Sequence, residues 1–535
     1  MKKFFFISEH MYYQFLNKIN RGLFKKKLIL LILFLIILPN ILNNHPTRDI
    51  HFYDETFYLE SAEQLEGFQD ASAYSLFYKI LSKIWKNPVD RYFSNYLLLV
   101  FGFCFVFISI AKNNKDLIIY SIFLSLIVTS ELIVSALPFI TIFSSILIVW
   151  LIHSFFNRQL SLFVFLIFVL AYTRVEYYVL FLSSILFILP ITLNNRRRNY
   201  KKWIPLLVYL LGFLIAIANN PSTQDRAFIA FCQHYAYSKF QRGLYFDDPW
   251  TTCDGLVSQD FGSAGSMYAV LTGNIHALSE HIYVNIRFFF ETFGKHLNIP
   301  QGVVLLFFII IISLEILRMV RNLRLRRNFP SLRSIFLFVL LVFSSIGTVL
   351  YYPRDHYLLQ ISVVLVFFIR RGAQYLESRK VKKYIINQKI HLYCLGFVTV
   401  VFLLGLFLKN QKKMILSAFG EDCSNVRLIE TLKYLKLPKY NVLSPEGGFC
   451  IYLGNVDCKV LLPYEKKSGF QNFISKSEVN VILMNDYYQK NELYRDDIEF
   501  QIFLKNQYFV NTETKFEKLE TYTCPSRVIL VKINK

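Results

Sequence analysis

Apolar runs of about 16–20 residues recur through the first 400 positions of this 535-residue chain. Each run is close to the length of about 20 residues that an α-helix needs to cross a bilayer. The composition agrees, because 54% of the residues are hydrophobic and the mean hydropathy is +0.38. Soluble domains rarely have such a composition. The chain is therefore predicted to be a multi-pass α-helical membrane protein.

The runs predict eleven transmembrane helices, with boundaries good to a few residues. Their bounds are 27–43, 94–111, 117–137, 138–156, 160–175, 177–193, 203–218, 302–318, 333–351, 357–370 and 391–408. The stretch 28–42 follows Lys25-Lys26-Lys27 and lacks a small-residue cleavage site. We therefore expect it to be retained as the first span, with the amino terminus in the cytoplasm.

The net charge of +22 comes largely from lysines and arginines grouped in short segments between the apolar runs. With a cytoplasmic amino terminus, every strongly basic short loop falls on the cytoplasmic side, as the positive-inside rule requires. These loops are 112–116, 157–159, 194–202, 319–332 and 371–390. This distribution indicates contact with membrane lipids and argues against binding to nucleic acid.

The same alternation predicts the domain organisation. Residues 1–26 form a cytoplasmic segment, and 27–408 form a transmembrane domain with long outer loops at 44–93 and 219–301. Residues 409–535 are more polar and alternate short apolar runs with turns, which predicts a small extracytoplasmic α/β domain. We expect this domain to bind an acceptor or to stabilise the protein.

Six of the eight cysteines fall on the predicted outer side, and two of them, Cys232 and Cys253, share the long loop. Even sets of cysteines in an oxidising compartment favour disulfides, and unpaired thiols are the alternative. The tail cysteines are Cys423, Cys450, Cys458 and Cys524. They allow three pairings, and the sequence does not choose among them.

Two acidic features on the outer side are candidates for chemistry. Asp54-Glu55 follows the first span at the start of a predicted surface helix, where the helix dipole favours a carboxylate. Such a pair can accept a proton from a hydroxyl or coordinate a divalent ion, and it can equally be a helix cap. Glu131 lies near the outer end of the third span, where it is either a second functional acid or a solvated residue.

Isolated arginines mark two tight outward turns. Arg174 and Glu176 lie between the fifth and sixth spans, and Arg354, His356 and Tyr357 lie between the ninth and tenth. The forked donors of an arginine suit the phosphate of a lipid. The alternatives are a structural ion pair between Arg174 and Glu176, and simple interfacial anchoring by the aromatic residues beside Arg354.

Together these features resemble the GT-C superfamily of polyprenyl-phosphate-sugar-dependent glycosyltransferases. The resemblance is greatest to bacterial relatives of the dolichyl-phosphate-mannose protein mannosyltransferases and of the aminoarabinose transferase. It rests on an outward Asp-Glu motif after the first span, here Asp54-Glu55, and on an acid near the second outer loop, here Glu131. A turn with an arginine that enters a late span, here Pro353–Leu359, and a small terminal extracytoplasmic domain complete the match.

The resemblance implies inverting transfer of a hexosyl or pentosyl group from a polyprenyl-phosphate donor to a hydroxyl of a lipid, glycan or protein. The reaction would take place on the extracytoplasmic face of a bacterial plasma (inner) membrane. Asp54 would be the general base, and Glu55 or Glu131 would orient the acceptor or an ion. Arg354 and Arg174 would neutralise the departing phosphate. Other substrate-binding residues expected from the sequence are Glu176, His234, His356 and Tyr357.

Some members of the superfamily need a divalent cation such as Mg²⁺ or Mn²⁺, for which Asp54 and Glu131 are the candidate ligands. In the long outer loop, Trp250 and Tyr235 have the chemistry to stack on sugar rings, and His234 to contact an acceptor or phosphate. The alternative for each of these three side chains is packing against the rest of the protein.

Two other functional classes fit parts of the pattern. A transporter or flippase for lipid-linked saccharides should carry charged or helix-breaking residues near mid-membrane, often with internal repeats. No repeat is evident here, and the centres of the spans are nearly free of charge. A glycan polymerase or ligase would share the outward arginines but would have no special need for the Asp-Glu pair.

Overall fold

The structure is a computed structural model. It describes residues 49–52, 54–64, 71–129, 138–193, 203–220, 224–262, 265–297, 300–324, 328–378, 423–454, 457–506 and 515–533.

Helices dominate the chain up to residue 378. In chain order they are α1 (Asp54–Gln64), α2 (Ser72–Ser82), α3 (Pro88–Ile110), α4 (Asn114–Thr129), α5 (Ile140–Phe156), α6 (Leu160–Ala171), α7 (Tyr178–Ser183), α8 (Ile185–Leu193), α9 (Ile204–Ala218), α10 (Gln224–Gln241), α11 (Cys253–Phe261), α12 (Met267–Gly273), α13 (Ile275–Leu297), α14 (Gln301–Arg324), α15 (Asn328–Ile346) and α16 (Asp355–Ser378). A 3₁₀ turn at Val175–Tyr177 precedes α7, and a π-helical turn at Gly347–Tyr351 follows α15.

The tail is mixed. Its elements are α17 (Asn425–Leu435), β1 (Lys439–Leu443), α18 (Cys450–Leu453), β2 (Asp457–Leu461), a 3₁₀ turn (Pro463–Glu465), α19 (Phe470–Lys476), β3 (Val481–Asn485), α20 (Asp486–Lys490), α21 (Glu492–Arg495), α22 (Ile498–Asn506), β4 (Lys515–Lys518) and β5 (Arg527–Ile533). Within this tail, helical spacing predicts a helix at 426–435, and short apolar runs predict strands at 441–444, 479–484 and 528–533. The structure confirms these four elements, with shifts of one or two residues at their ends.

The chain divides into two compact units. The helical unit consists of Met1–Asn43 and Leu97–Asn410, and the α/β unit consists of Asn44–Tyr96 and Gln411–Lys535. The α/β unit therefore combines the segment that the sequence suggests as the first long outer loop with the tail.

Five described helical segments are long and apolar enough to cross a membrane, which indicates an integral membrane protein. They are Pro88–Ile110, Val175–Leu193, Gln301–Arg324, Ser331–Tyr351 and Asp355–Tyr375. Three shorter apolar helices, α5, α6 and α9, accompany them. Nine of the eleven predicted spans overlap described helices, while those at 27–43 and 391–408 lie outside the described residues. The count of eleven and the side on which each loop lies stay predictions.

Helix α16 lies at the centre of the helical unit. It packs against α5, α14 and α15. Its middle stretch, from Leu358 to Phe368, is buried on every side, and its residues are mostly Val, Leu, Ile and Phe. A helix that is apolar all round requires such an enclosed position.

Several charged residues inside the helical unit form ion pairs. Arg371 on α16 contacts Glu315 on α14 at 2.6 Å, and both side chains are almost completely buried. Ser334 on α15 donates to the same carboxylate at 2.6 Å, so three helices meet at one charge. Arg370 forms a bidentate pair with Asp116, with both N···O distances 2.7 Å. Such pairs fix the register of neighbouring helices, because a buried charge without its partner is costly.

The sheet of the α/β unit has the strand order β2-β1-β3-β5-β4. Strand β1 pairs in parallel with β2 and β3, and β5 pairs antiparallel with β3 and β4. Aromatic side chains fill the core beside the sheet, including Phe470, Tyr488, Tyr494, Phe500 and Phe503.

Three disulfides join all six cysteines that the sequence places on the outer side, which confirms the preference for disulfides. Cys232 pairs with Cys253 in the helical unit. In the tail, the structure selects Cys423–Cys524 and Cys450–Cys458 from the three possible arrangements. Cys104 is a buried free thiol, and Cys394 lies outside the described residues.

The buried pair of Glu315 and Arg371 gives the first prediction. Glu315→Ala should lower the free energy of unfolding by about 3–5 kcal/mol, because it leaves Arg371 buried without its counter-charge. Glu315→Leu combined with Arg371→Met should recover much of that loss, because no uncompensated charge remains. Thermal unfolding of the purified protein in detergent measures both.

The matched control is Asp486→Ala, which removes an exposed partner of Lys490 at 3.8 Å and should change stability by less than about 1 kcal/mol. Equal destabilisation by the single and double variants would contradict the argument.

Candidate functional site

The Asp-Glu pair opens α1, where free backbone amides and the helix dipole favour carboxylates. The two side chains have opposite environments. Asp54 is exposed and makes no hydrogen bond or ion pair with another described residue. Glu55 is 2% exposed. Asp54 is therefore the carboxylate that a solute can reach.

Glu55 is held by a polar cluster inside the α/β unit. The Tyr74 hydroxyl donates to Glu55 Oε1 at 2.6 Å, and the Tyr78 hydroxyl donates to the same oxygen. The Asn95 amide lies 3.4 Å from that oxygen and donates to the Tyr74 hydroxyl at 2.8 Å. The Glu55 carboxylate thus connects α1 with α2 and with the first turns of α3 through hydrogen bonds.

Electrostatics keep the two tyrosine hydroxyls protonated. Burial, reinforced by Glu55, raises the pKa of Tyr74 and of Tyr78 well above the ordinary value. Both hydroxyls therefore remain donors at neutral pH. This arrangement suits Glu55 to orienting α1 and not to exchanging protons with a substrate.

The tail contacts the start of α1 directly. The hydroxyls of Thr56 and Tyr452 are 3.2 Å apart and buried. Gly448 has a φ of +89°, and a Cβ added there would lie 3.0 Å from Thr56 Cγ2. A glycine is required here for both its left-handed backbone and its lack of a side chain.

The segment leading into α1 is also bound by the tail. The Asn425 side chain donates to the Ile50 carbonyl at 2.8 Å, and the Val426 amide donates to Asp49 at 3.0 Å. The ring of Phe52 lies 5.7 Å from that of Phe449. Contacts before and after the helix start therefore fix where Asp54 emerges.

A second group of predicted residues meets in the helical unit, around Arg354. Its guanidinium lies over the Trp250 ring at 4.7 Å and over the Tyr237 ring at 5.8 Å. Arg354 forms no ion pair with a carboxylate among the described residues. An arginine framed by aromatic faces and lacking a counter-charge can still receive an anion.

His234 shares Trp250 with Arg354. Its ring stacks on Tyr351 with centroids 5.8 Å apart and meets Trp250 edge-on at 5.8 Å. The side chain is 8% exposed, and its Nδ1 is buried without a hydrogen-bond partner. Burial, reinforced by Arg354, holds the pKa of His234 well below its usual range. The imidazole is therefore neutral at pH 7 and has an unused polar atom.

Arg174, unlike Arg354, forms an ion pair with a described carboxylate. It contacts Glu176 at 2.7 Å, the ion pair that the sequence leaves open as an alternative. Its guanidinium also lies over the Tyr357 ring at 5.1 Å. Tyr357 in turn fits against Gly347, where a Cβ would lie 2.8 Å from the ring. His356 is 8% exposed and lies beside Tyr357, with ring centroids 4.3 Å apart.

Neighbouring groups hold the turn that carries Arg354. Asn285 on α13 donates to the carbonyls of Val349 and Tyr351 at 3.0 Å, caps that the π-helical turn needs. His296 contacts Asp355 at 2.8 Å. The disulfide Cys232–Cys253 and a bond from Gln233 to the Trp250 carbonyl at 3.0 Å hold the Trp250 segment against α10.

The predicted site residues thus fall into two groups. Asp54 and Glu55 belong to the α/β unit, whereas the others that are described belong to the helical unit, namely Arg174, Glu176, His234, Arg354, His356 and Tyr357. Glu131 lies outside the described residues. Within the helical unit, Arg354 and His234 both contact Trp250, and Arg174 lies over Tyr357.

Sequence reasoning missed several residues that shape these groups. They are Tyr74, Tyr78, Asn95, Thr56 and Tyr452 around Glu55, and Tyr237, Tyr351 and Asn285 around Arg354. The four-residue spacing of Tyr74 and Tyr78 does put both on one helix face, but nothing in the sequence connects that face to Glu55.

The described residues do not assemble a set of ligands for a divalent cation. Their one close group of three candidate ligands is Cys232, Cys253 and Asp254, and its two cysteines form a disulfide. Asp54 offers a single carboxylate, and Glu55 is occupied by the tyrosines. We therefore derive no step through a metal.

Comparison with known proteins adds little. No protein-family model matches the chain, and no curated protein matches it. Among solved structures, the chain is similar to the archaeal oligosaccharyltransferase AglB from Archaeoglobus fulgidus, in complex with an inhibitory peptide and a dolichol-phosphate. The TM-score is 0.40 at 11% identity, covering 96% of this chain and 75% of that one. A similarity at this level carries no argument about fold or function.

The cluster around Glu55 gives the second prediction. Glu55→Ala should lower the free energy of unfolding by about 3 kcal/mol or more, because two buried hydroxyl donors lose their acceptor. Asp54→Ala is the matched control, and it should change stability by less than about 1 kcal/mol because that carboxylate is exposed. Chemical or thermal denaturation in detergent compares them, and equal losses would contradict the assignment.

The buried histidines give the third prediction. Burial lowers the pKa of His281 to about 4, and lowers that of His234 as well. The unfolded chain takes up these protons near pH 6.5 and the folded one does not. Stability should therefore be complete above about pH 6.5 and fall progressively as the pH drops toward 4.

His281→Asn should flatten the decline when thermal unfolding is followed from pH 7.5 to 4.5. His276→Asn, which alters an exposed histidine of the same helix, should leave it unchanged. A decline that neither variant alters would assign the pH dependence to other groups.

Proposed function

We propose that this protein is a membrane glycosyltransferase. It transfers a hexosyl or pentosyl group from a polyprenyl-phosphate donor to an acceptor hydroxyl on a lipid, glycan or protein. The reaction takes place on the extracytoplasmic face of a bacterial plasma membrane, with inversion at the anomeric carbon.

The proposal rests on the surroundings of Arg354. Three arginines of the helical unit are neutralised by carboxylates, in the pairs Arg371–Glu315, Arg370–Asp116 and Arg174–Glu176. Arg354 instead faces Trp250 and Tyr237, beside a neutral His234 with a free buried nitrogen. Two aromatic rings, a guanidinium and an imidazole beside apolar helices suit the phosphate of a lipid-borne donor.

The proposed reaction is a single displacement. The acceptor oxygen bonds to the anomeric carbon as its proton passes to the Asp54 carboxylate. The bond between that carbon and the phosphate oxygen breaks, and its electron pair leaves with the lipid phosphate. Arg354 binds the departing phosphate, and the ion pair of Arg174 with Glu176 supports the neighbouring Tyr357. Asp54 suits the role of base because it is exposed and has no described partner.

Within this proposal the tail acts as a positioning module for Asp54. Support comes from the contacts of Tyr452 and Gly448 with Thr56, and from the bond of Asn425 to Ile50. These contacts lie two to four residues from Asp54 in the sequence. A catalytic carboxylate must be held close to its productive position, and small displacements are costly in rate.

The competing functions would give different results with a labelled lipid-linked sugar. A transporter or flippase would move a labelled lipid-linked saccharide across a vesicle membrane without releasing lipid phosphate. A polymerase or ligase would consume lipid-linked glycan chains in place of a polyprenyl-phosphate monosaccharide. Purified protein supplied with radiolabelled polyprenyl-phosphate sugars separates them, because a transferase of the proposed kind releases lipid phosphate only when acceptor is present.

Two substitutions give the fourth prediction. Asp54→Asn should lower turnover by about 10²–10⁴-fold, the usual contribution of a positioned base, while the protein stays folded. Arg354→Ala should weaken donor binding by about 10–100-fold, as expected for loss of a charged hydrogen-bonding group. The assay is acceptor-dependent release of lipid phosphate, with KM for the donor measured alongside.

Asp90→Asn and Arg287→Ala are the matched controls. Asp90 is an exposed carboxylate in the first turn of α3, and Arg287 is an exposed arginine on α13. Neither should alter turnover or KM. Normal transfer by Asp54→Asn would remove that residue from the role of base, and vesicle transport without transfer would replace the proposed function.

A further inference from the structure

A cavity lies on the long loop of the helical unit, between the turn that follows α10 and the helix α11. Its volume is about 380 Å³, which is within the usual range for small-molecule sites. The residues that matter to the argument are Tyr245, Phe246, Asp247, Thr252, Gly255 and Gln259. We call this cavity the loop pocket.

An exposed aromatic ring forms one wall of the loop pocket. Phe246 is 85% exposed, and the neighbouring Leu244 is 60% exposed. Asp247 follows at once, and its carboxylate is exposed. A ring beside an uncompensated carboxylate suits contact with a water-soluble partner better than insertion among acyl chains, where a charge is expensive.

Polar side chains form much of the remaining lining. Asp247 and Gln259 make no side-chain hydrogen bond with another described residue. The Tyr245 and Thr252 hydroxyls are 2.6 Å apart, and Thr252 donates to the Asp248 carbonyl at 2.7 Å, so this edge is already ordered. The free groups are thus an acceptor-only carboxylate and an amide that both donates and accepts.

This combination suits one ligand chemistry. The C–H face of a sugar ring packs on an aromatic face, while its hydroxyls donate to a carboxylate and pair with an amide. An acyl chain would leave Asp247 and Gln259 without partners. A phosphate would be repelled by Asp247. A hydroxyl-rich ring without negative charge therefore fits this lining.

The floor of the loop pocket is open at Gly255. A Cβ added there would meet no atom within 4 Å. Gly255 lies inside α11, where a leucine is a better helix former than glycine. A side chain can therefore start from this position without a contact at its Cβ, and Gly255→Leu is the substitution chosen to block the cavity.

The loop pocket is joined to the candidate site by a short segment. The turn that carries Phe246 and Asp247 continues to Trp250, whose ring lies under the Arg354 guanidinium at 4.7 Å. The disulfide Cys232–Cys253 and the bond from Gln233 to Trp250 fix this segment against α10. A ligand in the loop pocket is thereby held on the same rigid segment as the aromatic ring beside Arg354.

We propose that the loop pocket binds a neutral saccharide unit of the acceptor, with Phe246 stacking on the ring and Asp247 and Gln259 bonding its hydroxyls. The assignment of that saccharide to the acceptor rests on the proposed function. The binding itself does not depend on turnover, so the two can be tested separately.

The experiment uses full-length protein in nanodiscs on a printed array of neutral, amino and acidic glycans, followed by titration of the glycan that binds best. We expect neutral glycans to bind. Phe246→Ala and Gly255→Leu should each weaken binding by about tenfold or more, since loss of an aromatic contact of about 1.4 kcal/mol is a tenfold change. Tyr268→Ala, which removes a 77% exposed ring away from the cavity, should leave binding unchanged.

Glycan binding that both variants abolish would support the loop pocket even if no sugar transfer is found, in which case only the proposed function fails. If transfer occurs, the two variants should raise KM for the acceptor. Transfer with unchanged acceptor KM, or with only donor KM raised, would overturn the assignment to the acceptor while the proposed function stands. Absence of glycan binding, or binding that neither variant weakens, would overturn the loop pocket.

Discussion

The buried carboxylate of Glu55 is the interaction on which the candidate base depends. A carboxylate removed from water is stable only if its oxygens are bonded, and here two tyrosine hydroxyls of α2 bond one of them. Because an α-helix has 3.6 residues per turn, adjacent residues point about 100° apart. Fixing Glu55 inward therefore turns Asp54 outward, and the two carboxylates of one short motif acquire different chemistry.

Buried charges in the helical unit also need partners, and Arg354 is the exception that matters to the proposed function. Glu315, Asp116 and Glu176 each neutralise an arginine, since the interior does not tolerate an isolated charge. Arg354 forms no ion pair within the described part of the chain and lies between aromatic faces, which attract a cation without neutralising it. An anion is the partner that this guanidinium lacks, and for that reason the proposed function rests on it.

Much of the architecture could be predicted from the sequence. Nine apolar runs predicted spans that overlap described helices, and short apolar runs between turns predicted the strands β1, β3 and β5. These predictions succeed because the length and period of such runs reflect local geometry. The pairing of the tail cysteines could not be predicted, because Cys423 and Cys524 are 101 residues apart and only the folded sheet brings them together. The turns with Arg174 and Arg354 could be identified as candidates. Their different partners could not, since these come from packing.

The sequence by itself determined that this is a chain of apolar helices with a small mixed tail, a basic charge pattern and one Asp-Glu motif. Those properties depend on neighbours along the chain. Only the tertiary structure decided which of the two acids is exposed, that Arg354 forms no ion pair with a described carboxylate, and that the tail contacts α1. The contact between Thr56 and Tyr452 joins residues 396 positions apart, and burial and pairing at such distances arise only when the chain has folded.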